Sequence, residues 1–343
     1  MEIYIFHIRI SYKKREAKMY NMGVSVLYAT VGISSNNPEF VDFNELWHHN
    51  ITNFYKIEKV QFNEHMDGYI VIFDNRQVPP YIEFINGSVI AVGDFSRLNR
   101  EVKDRFYTFF GNQGIFLRQV IYLLESQHNI HSLHACGVYD PESNDLFIIY
   151  GPSGCGKSCV MLRAIEKGLK LFSADILHFK VKDDDVIFFK GPMKQGVRVG
   201  TLKHHFYSML DKLEVKLPDV PDEWSEKIRL HLEKFETKEK ELRNPNIVIV
   251  SPWMSGESNK TWIKEEKDNR EIIKSLFLNC TEKIGQTFLL YESIPVQSFD
   301  NQIIAEKRLK DIKKLVKSGL IKRYYRIVAS PDNDLREIFE DKS

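Results

Sequence analysis

The sequence has no dominant sign of charge. In 343 residues, 48 Lys and Arg stand against 47 Asp and Glu, a formal net charge of +1. No broad field therefore draws the chain to nucleic acid or to an anionic membrane, and a partner must be recognised locally. Cysteine is scarce: Cys136, Cys155, Cys159 and Cys280 show neither paired zinc-ligand spacing nor the density of a secreted disulfide scaffold, which points to a reducing cytoplasm. Long apolar runs are missing too. The opening MEIYIFHIRI is short and has no small-residue cleavage site, and later apolar runs are strand-sized, so neither a secretion signal nor a membrane span is expected. Met19 and Met22 lie close enough behind Met1 to be alternative starts. Internal repeats, low-complexity runs and a nucleic-acid-binding module are also lacking.

What is present is an ordinary globular composition, 43% hydrophobic and 28% charged, at a length that favours two modules. Short strand-like runs, VSVLYATVGI, YIVIFD, YIEFI and SVIAVG, are punctuated by Asn, Asp, Gly and Pro, and give a strand-rich N-terminal module over 1–100. Residues 101–130 read as a helical connector with Phe106, Phe109, Phe110, Ile115, Phe116, Val120, Leu123 and Leu124 at helical spacing, broken near Gly111 and Gly114. Residues 131–343 alternate strands and helices, a mixed α/β core. Within it, LHACGVYD and LFIIY are predicted to form a hairpin, CVMLRAIEK a helix capped by Gly168, and LKLFSADILHFKV with VIFFKG two strands around an acidic turn. TLKHHFYSMLDKL, SEKIRLHLEKFETK, DNREIIKSLFLN and NQIIAEKRLKDIKKLVKSG read as helices.

The hairpin feeds the most informative stretch of the chain. Gly151, Pro152, Ser153, Gly154, Cys155, Gly156, Lys157 and Ser158 match G-x-x-x-x-G-K-[ST] in full, after an apolar strand and at the start of a helix that continues with Cys159. In that setting backbone N–H groups curl around phosphate oxygens, Lys157 neutralises the β and γ phosphates, and the Ser158 hydroxyl is placed to ligate Mg2+. A Ras-like GTPase would need N-K-x-D, and the near match Asn259-Lys260-Thr261-Trp262 lacks the aspartate. Asp175 follows Lys157 by only 18 residues, room for one helix, one turn and one strand, so a metal-handling carboxylate is expected from the next strand.

The order HA-x-x-V, short turn, apolar strand, G-x-S-G-x-G-K-S, helix, K-G-x-x-L-x-S-x-D resembles the HPr kinase/phosphorylase family over about 133–179. The resemblance implies a phosphoenolpyruvate carboxykinase-like P-loop kinase core, ATP and Mg2+ as cofactors, and transfer of the γ-phosphoryl group to a serine-type hydroxyl of a protein, peptide or small molecule. It places His134 near the transferred phosphate, where it would assist proton transfer or bind phosphate, and assigns the metal to Ser158 and Asp175. Family members usually carry two adjacent aspartates where this chain reads Ala174-Asp175. Three readings follow: Asp175 does both jobs, His134 is the base, or the chain is a nucleotide-binding regulatory protein with little transfer. The N-terminal module matches no family motif and is read as a lid or as an element of a homo-oligomer.

Four further expectations concern charged and thiol groups. Arg198, on the glycine-flanked KQGVRVG segment read as a mobile loop, is the candidate cation for the γ phosphate. Cys155, near a helix N-terminus, is expected to have a lowered thiol pKa and to react with alkylating agents. His131 reads as a turn residue, and Asp183, Asp184 and Asp185 as a solvated hairpin turn rather than a metal site. Lys307, Arg308, Lys310, Lys313, Lys314 and Lys317 read as a basic surface opposite an inward face of Ile303, Ile304, Ile312, Leu315 and Val316, a docking face for an acidic partner at most.

Overall fold

The computed structural model describes residues 2–5, 8–11, 18–183, 185–256, 260–333 and 335–339; Asp184 and Asn259 fall outside them. In the N-terminal part, Val24, Val26, Val31 and Ile33 are buried on β1 (Tyr20–Val26) and β2 (Ala29–Ser35). The run expected as one strand is a hairpin, because Leu27 adopts φ 53° and reverses the chain. After α1 (Phe43–Asn50) come β3 (Glu58–Val60), β4 (Gly68–Asp74), β5 (Tyr81–Ile85) and β6 (Ser88–Gly93). They complete a six-stranded sheet in the order β3-β1-β2-β4-β6-β5, in which β2–β4 and β4–β6 are parallel.

Helix α2 (Phe95–Glu101) and an irregular stretch lead to α3 (Ile115–His128). The break falls where the glycines suggested. A Cβ on Gly114 would lie 1.8 Å from the Thr108 carbonyl oxygen, so only glycine lets the chain fold back before α3. Asn129, at φ 57°, ends the helix in the left-handed region. The apolar side of α3 joins the N-terminal sheet to Phe288, Val296 and Phe299 of the C-terminal half in one hydrophobic cluster.

The second sheet is built on β7 (Ile130–Asp140), buried along almost its whole length. Its partners are β8 (Asp145–Tyr150) and β9 (Lys170–Ser173), either side of α4 (Lys157–Glu166), and β10 (Ile176–Lys182), which in turn pairs with β11 (Asp185–Phe189). Next come β12 (Lys194–Arg198), α5 (Val199–His205), β13 (Lys227–His231), β14 (Glu241–Arg243), β15 (Asn246–Met254) and β16 (Trp262–Glu265). Helix α6 (Asn269–Thr281), the short hairpin of β17 (Phe288–Leu290) and β18 (Ile294–Val296), α7 (Gln302–Lys317) and β19 (Ile321–Ala329) follow. The nine-stranded sheet runs β14-β11-β10-β7-β8-β15-β19-β16, with β9 also paired to β7. Side-chain alternation sorts its two faces. Val138, Phe147, Ile149, Val248 and Val250 pack with α4, whereas Leu146, Ile148, Ile247 and Ile249 pack with α6 and α7. The result is a three-layer α/β arrangement, and among the described residues no helix is long and apolar enough to cross a membrane.

Several expectations are corrected here. SEKIRLHLEKFETK is not a helix: Ile228, Leu230 and Leu232 recur at every second residue, the period of a strand, and β13 pairs with β12. KQGVRVG is correspondingly a paired strand rather than a mobile loop. On α7, Ile304, Ile312 and Leu315 face inward as anticipated, but Ile303 is exposed and Arg308, read as surface, is fully buried. Arg308 makes paired bonds of 2.7 to 2.9 Å to Glu125 of α3 and to Asp300. His131 is no turn residue either. It is fully buried on β7, with Nδ1 2.6 Å from Glu125 Oε1 and Nε2 3.1 Å from Asp311 Oδ2. Two carboxylates on one imidazole oppose the effect of burial and leave its pKa raised. Asp183, at φ 54°, does turn the chain between β10 and β11, and Asp185 pairs with Arg243 and Asn244.

Candidate active site

Strand register gathers three distant parts of the sequence. On β7, Ala135 pairs with Tyr150, the last residue of β8, so the loop beginning at Gly151 leaves the sheet beside His134. On the other side, His134 pairs with Ile176, the first residue of β10, which puts Asp175 at the same end. The predicted hairpin and the short Lys157-to-Asp175 spacing thus work as the residues suggested.

The glycine-rich loop keeps the conformation its composition requires. Gly151, Gly154 and Gly156 have φ of 153°, 85° and 102°, values that side chains disfavour. At Gly156, a Cβ would also lie 2.1 Å from Met254 Cγ. Pro152, Ser153 and Gly154 are exposed, Ser158 is half-buried in the first turn of α4, and Lys157 folds over the loop to donate from Nζ to the Gly151 carbonyl at 2.6 Å. Cys155 turns the other way. Its Sγ is 2.7 Å from where a Gly151 Cβ would lie, the residue is buried, and burial raises its thiol pKa despite nearby Lys157. The expected reactive thiol is therefore corrected to a packed, protonated one. Cys159 also faces inward, into the apolar cluster around α4, with burial raising its pKa to about 11.

His134 is held between two carboxylates. Its Nε2 is 3.3 Å from Asp175 Oδ1, and its Nδ1 is 2.6 Å from Oε1 of Glu282, just beyond α6. Burial opposes the charged imidazole, but these bonds win and its pKa is raised. With both ring nitrogens turned to carboxylates, the reading of His134 as a free base is not the one this geometry favours. Burial likewise works against an Asp175 carboxylate, yet His134, Lys283 and Lys157 hold its pKa down at about 2. Asp175 is consequently ionised and suited to a hard cation. Asn279 Nδ2 of α6 donates to the His134 carbonyl at 3.3 Å, tying that helix to β7.

Glu282, Lys283 and Asn279 border a cleft of about 610 Å³, with His134, Asp175, Lys157 and Ser158 behind its wall rather than in it. The Gly151–Ser153 segment forms part of its wall, and the exposed side of α6 forms another through Glu271, Lys274, Ser275, Leu278 and Asn279, followed by Glu282 and Lys283. Arg118 of α3, Arg326 of β19, and the hydrogen-bonded pair Tyr150 and Tyr324, 2.6 Å between hydroxyl oxygens, also line it, with Tyr107, Gln113, Ser251 and Gln286. Arg198 is absent from this wall. It ends β12, is exposed, and has Asp222 as a charged neighbour.

Glu282, Lys283 and Arg118 were not singled out from sequence. For Arg118 a signal was available: with Gln119 and Glu125 it interrupts the apolar run of α3, and all three are buried. Buried charge on an apolar helix calls for a specific partner or a functional use.

Ala174 lies elsewhere than its neighbour. Its side chain belongs to the apolar cluster with Val138, Met161 and Val197, while its N–H donates to the Pro192 carbonyl at 2.7 Å. A carboxylate there would enter the core rather than join Asp175 at the cleft.

No family model matches the sequence, and no curated protein matches it significantly. Among solved structures, the HPr(Ser) kinase/phosphatase from Coxiella burnetii aligns at 13% identity with a TM-score of 0.22, over 39% of this chain and 76% of that one. The match is distant, and a likeness of that extent assigns no activity to this chain.

Proposed function

We propose that the cleft is the active site of a cytoplasmic ATP- and Mg2+-dependent phosphotransferase, which moves the γ-phosphoryl group to a serine-type hydroxyl of a protein, peptide or small molecule. The observation that carries this reading is the convergence, at one end of β7, of the Lys157 loop, ionised Asp175 and the His134–Glu282 pair. The residues fit the groups required. A loop of positive-φ glycines followed by Lys157 suits phosphate oxygens, and Ser158 with Asp175 suits a magnesium ion that takes its remaining ligands from phosphate and water. Magnesium, when bound, offsets charge on the β and γ phosphates.

The chain's own residues supply orientation and charge. Lys157 holds the terminal phosphates, and His134, bonded through both ring nitrogens, orients Asp175 and Glu282. The acceptor oxygen forms its bond to phosphorus as the bond to ADP breaks, and the acceptor proton passes to a carboxylate, Asp175 or Glu282. Transfer through a loose transition state relies more on positioning than on a strong base, so a carboxylate of low basicity is adequate. The alternative, a nucleotide-binding regulatory protein, is favoured by one observation: Ala174 stands where the family usually has its first aspartate, and here it is core.

Lys157→Ala tests the nucleotide site. Charge-assisted bonds contribute about 1.5–3 kcal/mol each, so MgATP affinity should fall at least tenfold in calorimetric titration. The circular dichroism spectrum should be unchanged. Equal affinities would remove the basis of both readings.

A further inference from the structure

We propose that Arg118 and Lys283 form a seat for an oxyanion on the acceptor, so that the substrate is a hydroxyl compound carrying its own carboxylate or phosphate. This rests on the phosphotransferase reading above. Arg118 is 6% exposed and lines the cleft. Its Nε donates to the Gln113 carbonyl at 3.1 Å, Nη1 donates to the Lys283 carbonyl, and the guanidinium lies 3.9 Å from the Phe288 ring centroid. These contacts satisfy donors without cancelling charge. Burial lowers its pKa to about 10 against the opposing influence of Tyr107, and among the described residues no carboxylate pairs with it. A guanidinium keeps its charge at that value, and a buried charge without a counter-ion is costly unless a ligand supplies one.

Lys283 beside it is 8% exposed, with Nζ 3.1 Å from Gln113 Oε1. Burial lowers its pKa in spite of Asp175 and Glu282, and Arg118 and Lys157 both push in the same direction. Lys283 is therefore close enough to two other buried cations, Lys157 of the loop and Arg118 of α3, to feel their charge. The carboxylates close by, Asp175 and Glu282, are already bonded to His134. Lys157 serves the nucleotide. Arg118 and Lys283 are left for an anion that arrives with the acceptor.

The test titrates the full chain with glycerol 3-phosphate, malate and glycerol, each alone and after saturation with magnesium and a non-hydrolysable ATP analogue. Wild type should bind at least one of the anions and not glycerol, with the analogue in place. Whichever of the phosphate or carboxylate compound binds more tightly identifies the class of oxyanion. Arg118→Met should weaken that binding at least tenfold while the analogue's affinity stays within twofold, and Arg118→Lys should recover part of the loss. If neither anion binds wild type, or if Arg118→Met weakens the analogue as much as the anion, the acceptor seat is wrong. Failure of the analogue itself to bind would instead overturn the phosphotransferase reading. The anion titration without nucleotide then decides the seat independently. Should Arg118→Met not fold, Arg118→Lys and the wild-type titrations still discriminate.

Discussion

Asp175→Asn is expected to reduce phosphoryl transfer on the order of a thousandfold, with MgATP affinity changed far less. The substitution keeps shape but removes the ionised group that the surrounding cations hold at a pKa of about 2, and with it both the proposed metal ligand and one proposed acceptor for the substrate proton. It also releases His134 from one of its two carboxylates. Labelled ATP with candidate hydroxyl acceptors, and ATP hydrolysis where no acceptor responds, gives the measurement. A wild type that binds MgATP but turns over no faster than the variant would shift the reading to the regulatory alternative. The complementary change, Ala174→Asp, is not a restoration. It places a carboxylate among Val138, Met161 and Val197, so lost stability rather than gained activity is the expected result.

Arg308→Met should cost about 3–5 kcal/mol of stability, because it leaves Glu125 and Asp300 facing a buried space without their guanidinium. Urea unfolding of both proteins measures it, and a loss below about 1 kcal/mol would contradict the assigned network. The wild-type network also predicts a pH window. Burial opposes ionised Glu125, yet His131 and Arg308 lower its pKa from 4.5, so its contribution is complete above that value and is lost as pH falls through the folded value. For His131 the folded pKa is raised above 6.5, so its contribution is complete below 6.5 and is lost as pH rises through the folded value. The network is therefore at full strength between 4.5 and 6.5; in a variant lacking the His131 imidazole the loss at high pH should be absent, while the acid-side loss should persist in reduced form because Arg308 still pairs with Glu125.

Local chemistry was legible in the sequence and distant pairing was not. The loop, its helix, the Gly168 cap and the β7–β8 hairpin each depend on neighbouring residues, and each is found in place. His134 and Asp175 meet because two short connections fix the register of adjacent strands. Glu282 lies 148 residues from His134, and no local period relates them. Arg308 was misread because five lysines surround it on α7, and a basic stretch gives no sign of which cation turns inward to find Glu125. In β13 the frequent charges suggested helical pairs, while the alternating Ile228, Leu230 and Leu232 carried the true period.

β7 has a consequence for how the cleft can move. Hydrogen-bonded on one edge to β8 and on the other to β9 and β10, and buried almost throughout, it should be among the last segments to exchange its amide hydrogens with solvent. His134 therefore sits on a fixed post. Asp175, in the two-residue connection between β9 and β10, shares that support because both flanking strands pair with β7, whereas Glu282 reaches the post from the turn after α6.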